Sequence, residues 1–480
     1  MLFTLYPGER PEYVDAPTKK EDCIRFSQSK GARFTTVTCR VRVRGKEGYG
    51  RAGISNDQMT DAVMEDRHLQ RMVKMAFYRA ALRAGHEKPV WGALTGVRPG
   101  KLMMELLHAS GDPRKAQLEF QEIYDVSPER ARLCLDTSRY TEQVSGLLTE
   151  QDICLYVGIP FCPTRCDYCS FVSQSVEKSM ELIPPFLEAL DKEIAATAEA
   201  VRSLGLRVIS VYFGGGTPTT LSARQLDTLI RTLEQQFDLS QLREFTVEAG
   251  RPDTITEEKL AVLKAHKVSR ISVNPQTMSD AVLEEIGRKH TAADVLSALS
   301  LVRRAGGFSI NMDLIAGLTG DSATGFQSTL DTVLELRPEN ITVHTLSRKK
   351  GSRVTKEQKK IPGPEEVSVM LDYAMAKLRE RDYLPYYLYR QKNMSGGFEN
   401  VGWTLEGYEN LYNICIMEEL CSIVAMGGGG STKLVCPGNG KNIRLMAPKY
   451  SYEYISHIDK VCTDKEKIKE FYYVLPTGRD

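Results

Sequence analysis

Leu155-Tyr156-Val157-Gly158-Ile159-Pro160-Phe161-Cys162-Pro163-Thr164-Arg165-Cys166-Asp167-Tyr168-Cys169 joins a short apolar run to three cysteines spaced Cys-x₃-Cys-x₂-Cys, with an aromatic residue directly before the last. Cubane iron–sulfur clusters hold four irons and usually take four thiolates. Three closely spaced thiolates leave one iron open to a non-protein ligand, which is the arrangement of a catalytic centre rather than a closed structural one. A tetrahedral zinc site would need a fourth ligand. No Cys or His lies within twenty positions downstream, and upstream only Cys154 is near, on the strand itself.

From about residue 150 to 385, short β-branched runs alternate with longer amphipathic ones. The pattern predicts strands at Cys154–Ile159, Val208–Phe213, Glu244–Glu248, Val268–Val273, Phe308–Leu314 and Ile341–Leu346. Helices are expected near Glu181–Ser203, Ala223–Gln236, Glu257–His266, Ala292–Arg304, Ala323–Leu336 and Glu365–Arg381. Strand–helix units in series imply an α/β fold with parallel strands and right-handed crossovers. Chemistry in such folds sits beyond the carboxyl ends of the strands. The cysteines follow the first strand immediately, so they fall where an active-site loop belongs.

The second strand ends in Tyr212-Phe213-Gly214-Gly215-Gly216-Thr217-Pro218-Thr219, about forty-five residues after Cys169. Glycines at a strand end leave backbone N–H groups open to a ligand. Glu248, Gln276, Arg288 and Asp313 fall at or after the following strand ends. A carboxylate suits an ammonium and an Arg suits a carboxylate. Such residues are also common as helix caps or surface ion pairs.

The cysteine motif resembles the signature of the radical S-adenosylmethionine (SAM) enzymes. Gly-Gly-Gly-Thr-Pro-Thr with Tyr156 narrows the resemblance to the oxygen-independent coproporphyrinogen III oxidase group, HemN and HemW relatives, and the whole-chain pattern is most similar to the HemZ subgroup. The resemblance implies a partial (β/α)₆ barrel carrying a [4Fe–4S] cluster on Cys162, Cys166 and Cys169, with SAM on the open iron. One electron from the cluster then cleaves SAM to a 5′-deoxyadenosyl radical. It further implies SAM contacts from Tyr156, Tyr168, Gly215, Gly216, Thr217, Glu248, Gln276, Arg288 and Asp313. The amino group would meet the glycine motif and Glu248, the carboxylate Arg288, and the ribose and adenine edges Asp313 and Gln276. Tyr168 would lie beside the adenine and Tyr156 near the sulfonium.

The activity implied is oxidative decarboxylation of coproporphyrinogen III propionates to vinyls in porphyrin biosynthesis. The partners implied are a tetrapyrrole and an electron donor such as a flavodoxin or ferredoxin. Arg165, Arg348, Lys349, Arg390 and Lys392 are candidate contacts for propionates, though charged loop residues are commonly just solvated. Two departures keep other readings open. Phe171 stands where the oxidases have a fourth cysteine, as in the haem-chaperone branch. Tyr412-Asn413-Ile414-Cys415-Ile416-Met417 is the nearest match to that branch's haem-holding His-Asn-x-x-Tyr-Trp, without the His or Trp. A haem-binding chaperone of HemW type, with Cys436-Pro437 as a weak haem-ligand pattern, and a radical SAM enzyme acting on another tetrapyrrole are the alternatives. His344 is either an ordinary strand-end histidine or a group facing the substrate.

Outside the core the sequence divides as 1–148, an N-terminal α+β domain of unassigned role; 149–385, the core barrel; and 386–480, a C-terminal extension. In the first, strand-like runs such as Thr35–Val43 precede helical stretches near Asp61–Ala84, Lys101–Ala109 and Arg114–Tyr124. Lys88–Lys101 looks like a phosphate loop but has Thr95 where a glycine is required and Leu102 after the lysine, so a structured turn before a helix is expected. The extension carries the aromatic run Tyr383–Arg390 and the glycines Gly427–Gly430, which suit either close backbone approach to a ligand or a flexible turn. A net charge of +1 announces no broad basic surface for nucleic acid or anionic lipid. No run approaches the ~20 apolar residues of a membrane span. Eleven cysteines without a secretory leader read as reduced thiols in the cytoplasm.

Overall fold

The computed structural model describes residues 1–6, 9, 11–14, 22–96, 98–169, 174–349, 351–391, 395–436 and 442–474. Phe171, Lys392 and Pro437 lie outside them. The chain forms two compact units, Met1–Leu135 with Gly396–Phe398, and Asp136–Ser395 with Glu399–Asp480.

The first unit has a three-stranded antiparallel meander, β1 (Cys23–Lys30), β2 (Phe34–Val43) and β3 (Lys46–Ser55). The long helix α1 (Ala62–Arg83) covers it, burying Val37, Cys39, Val41, Ala76 and Ala80 between them. Strand alternation sends every second residue of β2 inward, as the period of two requires. Helices α2 (Pro99–Ser110) and α3 (Pro113–Tyr124) follow. The stretch before α2 is a structured turn: Ala93 N donates to Tyr124 O at 2.7 Å, and Pro99 opens the helix at its first position. Helix α4 (Pro128–Leu147), which the sequence pattern did not single out, spans the division between the units.

The second unit is built on one open sheet of eleven strands. Its chain order runs β4 (Asp152–Ile159), α5 (Ile183–Ser203), β5 (Arg207–Gly215), α6 (Ala223–Gln236), β6 (Glu244–Glu248), α7 (Glu257–Ala265) and β7 (Arg270–Ser272). It continues with α8 (Ala292–Ala305), β8 (Ser309–Ala316), α9 (Ala323–Leu336), β9 (Asn340–Thr345) and α10 (Pro364–Glu380). These match the six predicted strand–helix units, and β4 through β9 pair in parallel. Local chemistry sets the helix starts. Ser222 and Gln225 form a capping box at α6, Thr291 and Asp294 another at α8, and Ser322 caps α9.

The last part of the chain completes this sheet. Strands β10 (Leu384–Arg390) and β11 (Glu399–Thr404) add antiparallel beside β9. Helix α11 (Leu411–Glu418) then leads to β12 (Ser422–Gly427), a seventh parallel strand against the free side of β4. Strands β13 (Ser431–Leu434) and β14 (Ile443–Met446) follow antiparallel. The sheet order is therefore β10-β11-β9-β8-β7-β6-β5-β4-β12-β13-β14.

Helix α11 packs on β5 and β10, and its amino end is fixed by buried polar groups. The Glu244 carboxylate accepts from Leu411 N at 2.9 Å and Tyr412 N at 3.1 Å. Asn410 caps the helix and donates to Thr246 Oγ1 at 3.1 Å. Arg270 donates to Tyr408 O at 2.8 Å and to Asn340, and lies 3.5 Å from Glu244. Buried groups paired this way avoid the ~1–3 kcal/mol cost of an unsatisfied donor or acceptor.

Candidate functional site

The carboxyl ends of the parallel strands gather the residues singled out in the sequence. After β4, Phe161–Cys162 forms a short parallel pair with Gln174–Ser175, which fixes the start of the cysteine loop. Cys162, Cys166 and Cys169 are half-buried. Thr217 Oγ1 donates to Cys162 Sγ at 3.5 Å, and Arg251 Nη1 donates to Cys166 Sγ at 3.6 Å. The loop is braced from beneath by buried Asp167, which meets Lys359 at 2.8 Å and Arg353 at 3.3 Å. Asp167 N also donates to Ile286 O.

Gly215, at φ +105°, and Gly216 turn the end of β5 toward this loop. A Cβ on Gly216 would stand 2.5 Å from Phe161 O, so only glycine lets the two strand ends meet. Gly216 N donates to Ile159 O and Thr217 N to Phe161 O. Glu248 ends β6 next to them and accepts from Tyr212 Oη at 2.5 Å. Burial pushes the Glu248 carboxyl up to about 7; the Tyr212 hydrogen bond and His344 pull it down and neighbouring Asp313 pushes it up. Partial burial also raises Asp313, but His344, Asn311 and Thr342 hold it below the ordinary carboxylate value. His344 Nε2 is 3.7 Å from Asp313 Oδ2, so this histidine faces the site.

Gln276 sits at φ +68°, with its backbone N donating to Asp313 O at 2.9 Å. Arg288 is buried and spans three elements. It donates to Asn274 O at 2.7 Å, Gly250 O at 3.3 Å and Tyr168 Oη at 3.0 Å, and its Nε has no partner. Tyr156 lies inside the sheet's inner face, stacked 6.2 Å from both Tyr212 and Tyr412, which are themselves 4.4 Å apart.

Three functional candidates were missed in the sequence. Arg251 follows the β6 end in Gly250-Arg251-Pro252, and its Nη2 is buried without a partner. His290 is buried with both ring nitrogens unpartnered, and burial together with Arg288 and Arg251 lowers it to about 4. A Gly-Arg-Pro after a strand end and a His two places after a singled-out Arg were the available signals. Tyr412 was weighed only as part of a haem-holding element. Of the candidate propionate contacts, Arg165 donates to Gly351 O and Arg348 lines a cavity of about 300 Å³ with Val354, Thr355 and Gln358. Arg390 is buried, away from solvent.

The donor set suits an iron–sulfur cluster. Three thiols on one loop, with hydrogen bonds to sulfur from Thr217 and Arg251, match the ligation and sulfur hydrogen bonding of such centres. Around one zinc, sulfurs stand ~3.8 Å apart, given a Zn–S length of ~2.3 Å. Among the described residues, the one group of three His, Cys, Asp or Glu ligand atoms within 4.8 Å of one another is Cys154, Cys415 and Cys421, not the motif.

The Radical SAM superfamily model matches residues 156–333. The oxygen-independent coproporphyrinogen-III oxidase-like protein HemZ of Bacillus subtilis is 40% identical over 385 residues, covering 79% of this chain and 77% of that protein. The heme chaperone HemW of Lactococcus lactis is 30% identical over 325 residues, 66% of this chain and 79% of that protein. The solved structure of the Escherichia coli coproporphyrinogen III oxidase HemN, a radical SAM enzyme, superposes with a TM-score of 0.54 at 21% identity. It covers 70% of this chain and 82% of that one, and shares the fold. Among the described residues no helix is long and apolar enough to cross a membrane.

Proposed function

We propose, on the premise that this chain belongs to the radical SAM superfamily in its HemN, HemZ and HemW group, that it oxidatively decarboxylates coproporphyrinogen III. The family uses a [4Fe–4S] cluster and SAM. When bound, these supply an electron and a carbon radical able to take a hydrogen atom. Each reacting propionate would lose one β-hydrogen atom, then CO₂ and one electron, leaving a vinyl group.

Cys162, Cys166 and Cys169 would hold the cluster. Gly215, Gly216, Thr217 and ionised Glu248 would bind the SAM amino end, and Arg288 its carboxylate. Gln276 and Asp313 would meet the ribose and adenine edges, with Tyr168 beside the adenine and Tyr156 toward the sulfonium. Arg165 and Arg348 would pair with propionates at the mouth. Tyr212, by donating to Glu248, favours the ionised carboxylate that an ammonium requires.

The observation that carries the reading is the position of Tyr412. The segment nearest to a chaperone's haem-holding element lies on α11, with Tyr412 and Cys415 buried. Tyr412 stacks on Tyr212, Asn413 donates to Tyr386 Oη at 3.1 Å, and the segment has no His. Its aromatic ring would wall the SAM site beside Tyr212 and Tyr156, and the segment offers no His to a haem iron.

The test is anaerobic: reconstitute and reduce the protein, add SAM and coproporphyrinogen III, and follow 5′-deoxyadenosine and protoporphyrinogen IX by chromatography. Both products are expected, and both vanish in Cys166→Ala along with the cluster. Deoxyadenosine without decarboxylated tetrapyrrole would discard this substrate. Neither product from a protein with an intact cluster, together with tight haem binding, would establish a carrier.

A further inference from the structure

Cys154 lies two residues before Tyr156 on β4, on the same inner face but deeper. Cys415 lies on α11, three residues after Tyr412 and so on a neighbouring part of the same helix surface. The turn after α11, closed by Leu420 N donating to Cys415 O at 3.1 Å, brings Cys421 back against it. Strand β12 begins at the next residue, with Ser422 opposite Ile153. Three segments far apart in sequence thus deliver three sulfurs to one point. All three sulfurs lie within 4.8 Å of one another, and Cys154 Sγ is 3.7 Å from Cys421 Sγ.

We propose that Cys154, Cys415 and Cys421 form a second metal site, for Cu⁺, separate from the cluster motif; Zn²⁺ would need a fourth ligand that the apolar wall does not offer. Metal–sulfur bonds of ~2.3 Å place sulfurs ~3.8–4.0 Å apart around one ion, so the trio needs only small side-chain adjustments to close on it. Thiolates select soft cations over Mg²⁺ and Ca²⁺. The thiols ionise as the metal–sulfur bonds form and release up to three protons to solvent; no electron is transferred. The wall is apolar and aromatic, from Val144, Ile209, Tyr386, Tyr412 and Ile423, which keeps water from the ion and marks the site as structural.

Simple core packing is the competing account, since a free Cys behaves as a small hydrophobe. The other buried cysteines, Cys39, Cys134 and Cys436, pack without any such grouping among the described residues. Here three sulfurs face one another, and a bound ion would staple β4, α11 and the entry to β12. It would thereby fix the helix that carries Tyr412 into the tyrosine stack.

The inference is independent of the substrate proposed above. Its test uses the full chain with Cys162→Ser, Cys166→Ser and Cys169→Ser, which removes the motif thiols, kept reduced and anaerobic. Zn²⁺ and Cu⁺ are added in separate arms, excess metal is removed by desalting, and metal is counted by mass spectrometry. About one equivalent of Cu⁺ should remain while Zn²⁺ is lost on desalting, and Cys415→Ala or Cys421→Ala should abolish Cu⁺ retention. Retention of Zn²⁺ without Cu⁺ would overturn the assignment of the ion. No retained metal in a folded parent, or equal retention in Cys415→Ala, overturns the proposal. Should those variants fail to fold, X-ray absorption on the loaded parent decides: three sulfur neighbours at ~2.3 Å support the site, and oxygen or nitrogen neighbours alone refute it.

Discussion

Replacing Glu248 by Gln isolates the carboxylate proposed above to meet the SAM ammonium. Burial lifts this carboxyl from its model-peptide value of 4.5 to about 7. The shift of ~2.5 pH units corresponds to ~3.4 kcal/mol, at ~1.36 kcal/mol per unit, disfavouring the charged form in the empty site. Pairing with an ammonium needs that charged form. At pH 5.5 about 3% of the sites would be ionised and at pH 7.5 about three-quarters, so SAM affinity should rise about 25-fold across that interval. The ligand's own amino group stays largely protonated there, its ordinary value being ~8.

Calorimetric titration of SAM into the reconstituted, unreduced protein checks this. The wild type should release nearly one proton per SAM at pH 6, read from the dependence of heat on buffer ionisation. Glu248→Gln keeps an oxygen for the Tyr212 donor but cannot ionise. It should bind more weakly at pH 7.5, release no such proton, and show a flat profile. Folding without SAM responds in the opposite sense. A folded-state value above the unfolded one contributes stability below pH ~4.5 that is lost as pH rises through ~7, so the Gln variant should gain on the wild type toward alkaline pH. A wild-type affinity independent of pH between 5.5 and 7.5, or an equal slope in Glu248→Gln, would refute the assignment of Glu248 to the ammonium.

Tyr212→Phe removes the donor that favours ionised Glu248, so the Glu248 carboxyl should titrate about one unit higher, consistent with the ~1.5–3 kcal/mol of a hydrogen bond to a charged group. Infrared difference spectra against Glu248→Gln would record it. Arg251→Leu deletes a hydrogen bond to Cys166 sulfur, so the cluster should still assemble but with a lower midpoint potential in a spectroelectrochemical titration; an unchanged potential would deny contact between Arg251 and the cluster ligands. Gly427→Ala should destabilise the second unit by about 2–5 kcal/mol in denaturant unfolding. The residue sits at φ +90° with the new Cβ 2.2 Å from Gly158 O, adding backbone strain to overpacking.

The six strand–helix units were legible because each announces itself locally. β-branched runs such as Val208–Phe213 mark strands, Ser222, Thr291 and Ser322 cap the following helices, and the cysteine loop directly follows a strand. The return of the chain was not legible. Ser422–Gly427 is a six-residue apolar run that could pair anywhere, and its partner Asp152–Ile159 lies nearly three hundred residues earlier. For the same reason Gly427–Gly430 stayed undecided as a sequence. The structure shows Gly427 pressed against the Gly158 backbone and donating to Glu193 Oε2 at 2.7 Å, so its close approach is to strand β4, which neither reading named. Arg251 and the tyrosine stack escaped notice because their meaning depends on which strand ends become neighbours. Spacing along the chain does not carry that information.

The polar lining of the sheet's inner face divides by what satisfies it. Toward the amino ends, Glu244, Asn340, Asn410 and the terminal nitrogens of Arg270 bond to one another and to the backbone around α11, while Arg270 Nε has no hydrogen bond and only its 3.5 Å ion pair with Glu244. Toward the carboxyl ends, Arg251 Nη2, Arg288 Nε and both nitrogens of His290 are buried without protein partners. Each such group costs ~1–3 kcal/mol unless something hydrogen-bonds it. SAM presents an ammonium, a carboxylate and a ribose, so it offers both charge signs and acceptors to the same strand ends that carry Glu248 and Arg288. The distribution of unsatisfied donors therefore argues for a polar, zwitterionic ligand at the cluster loop.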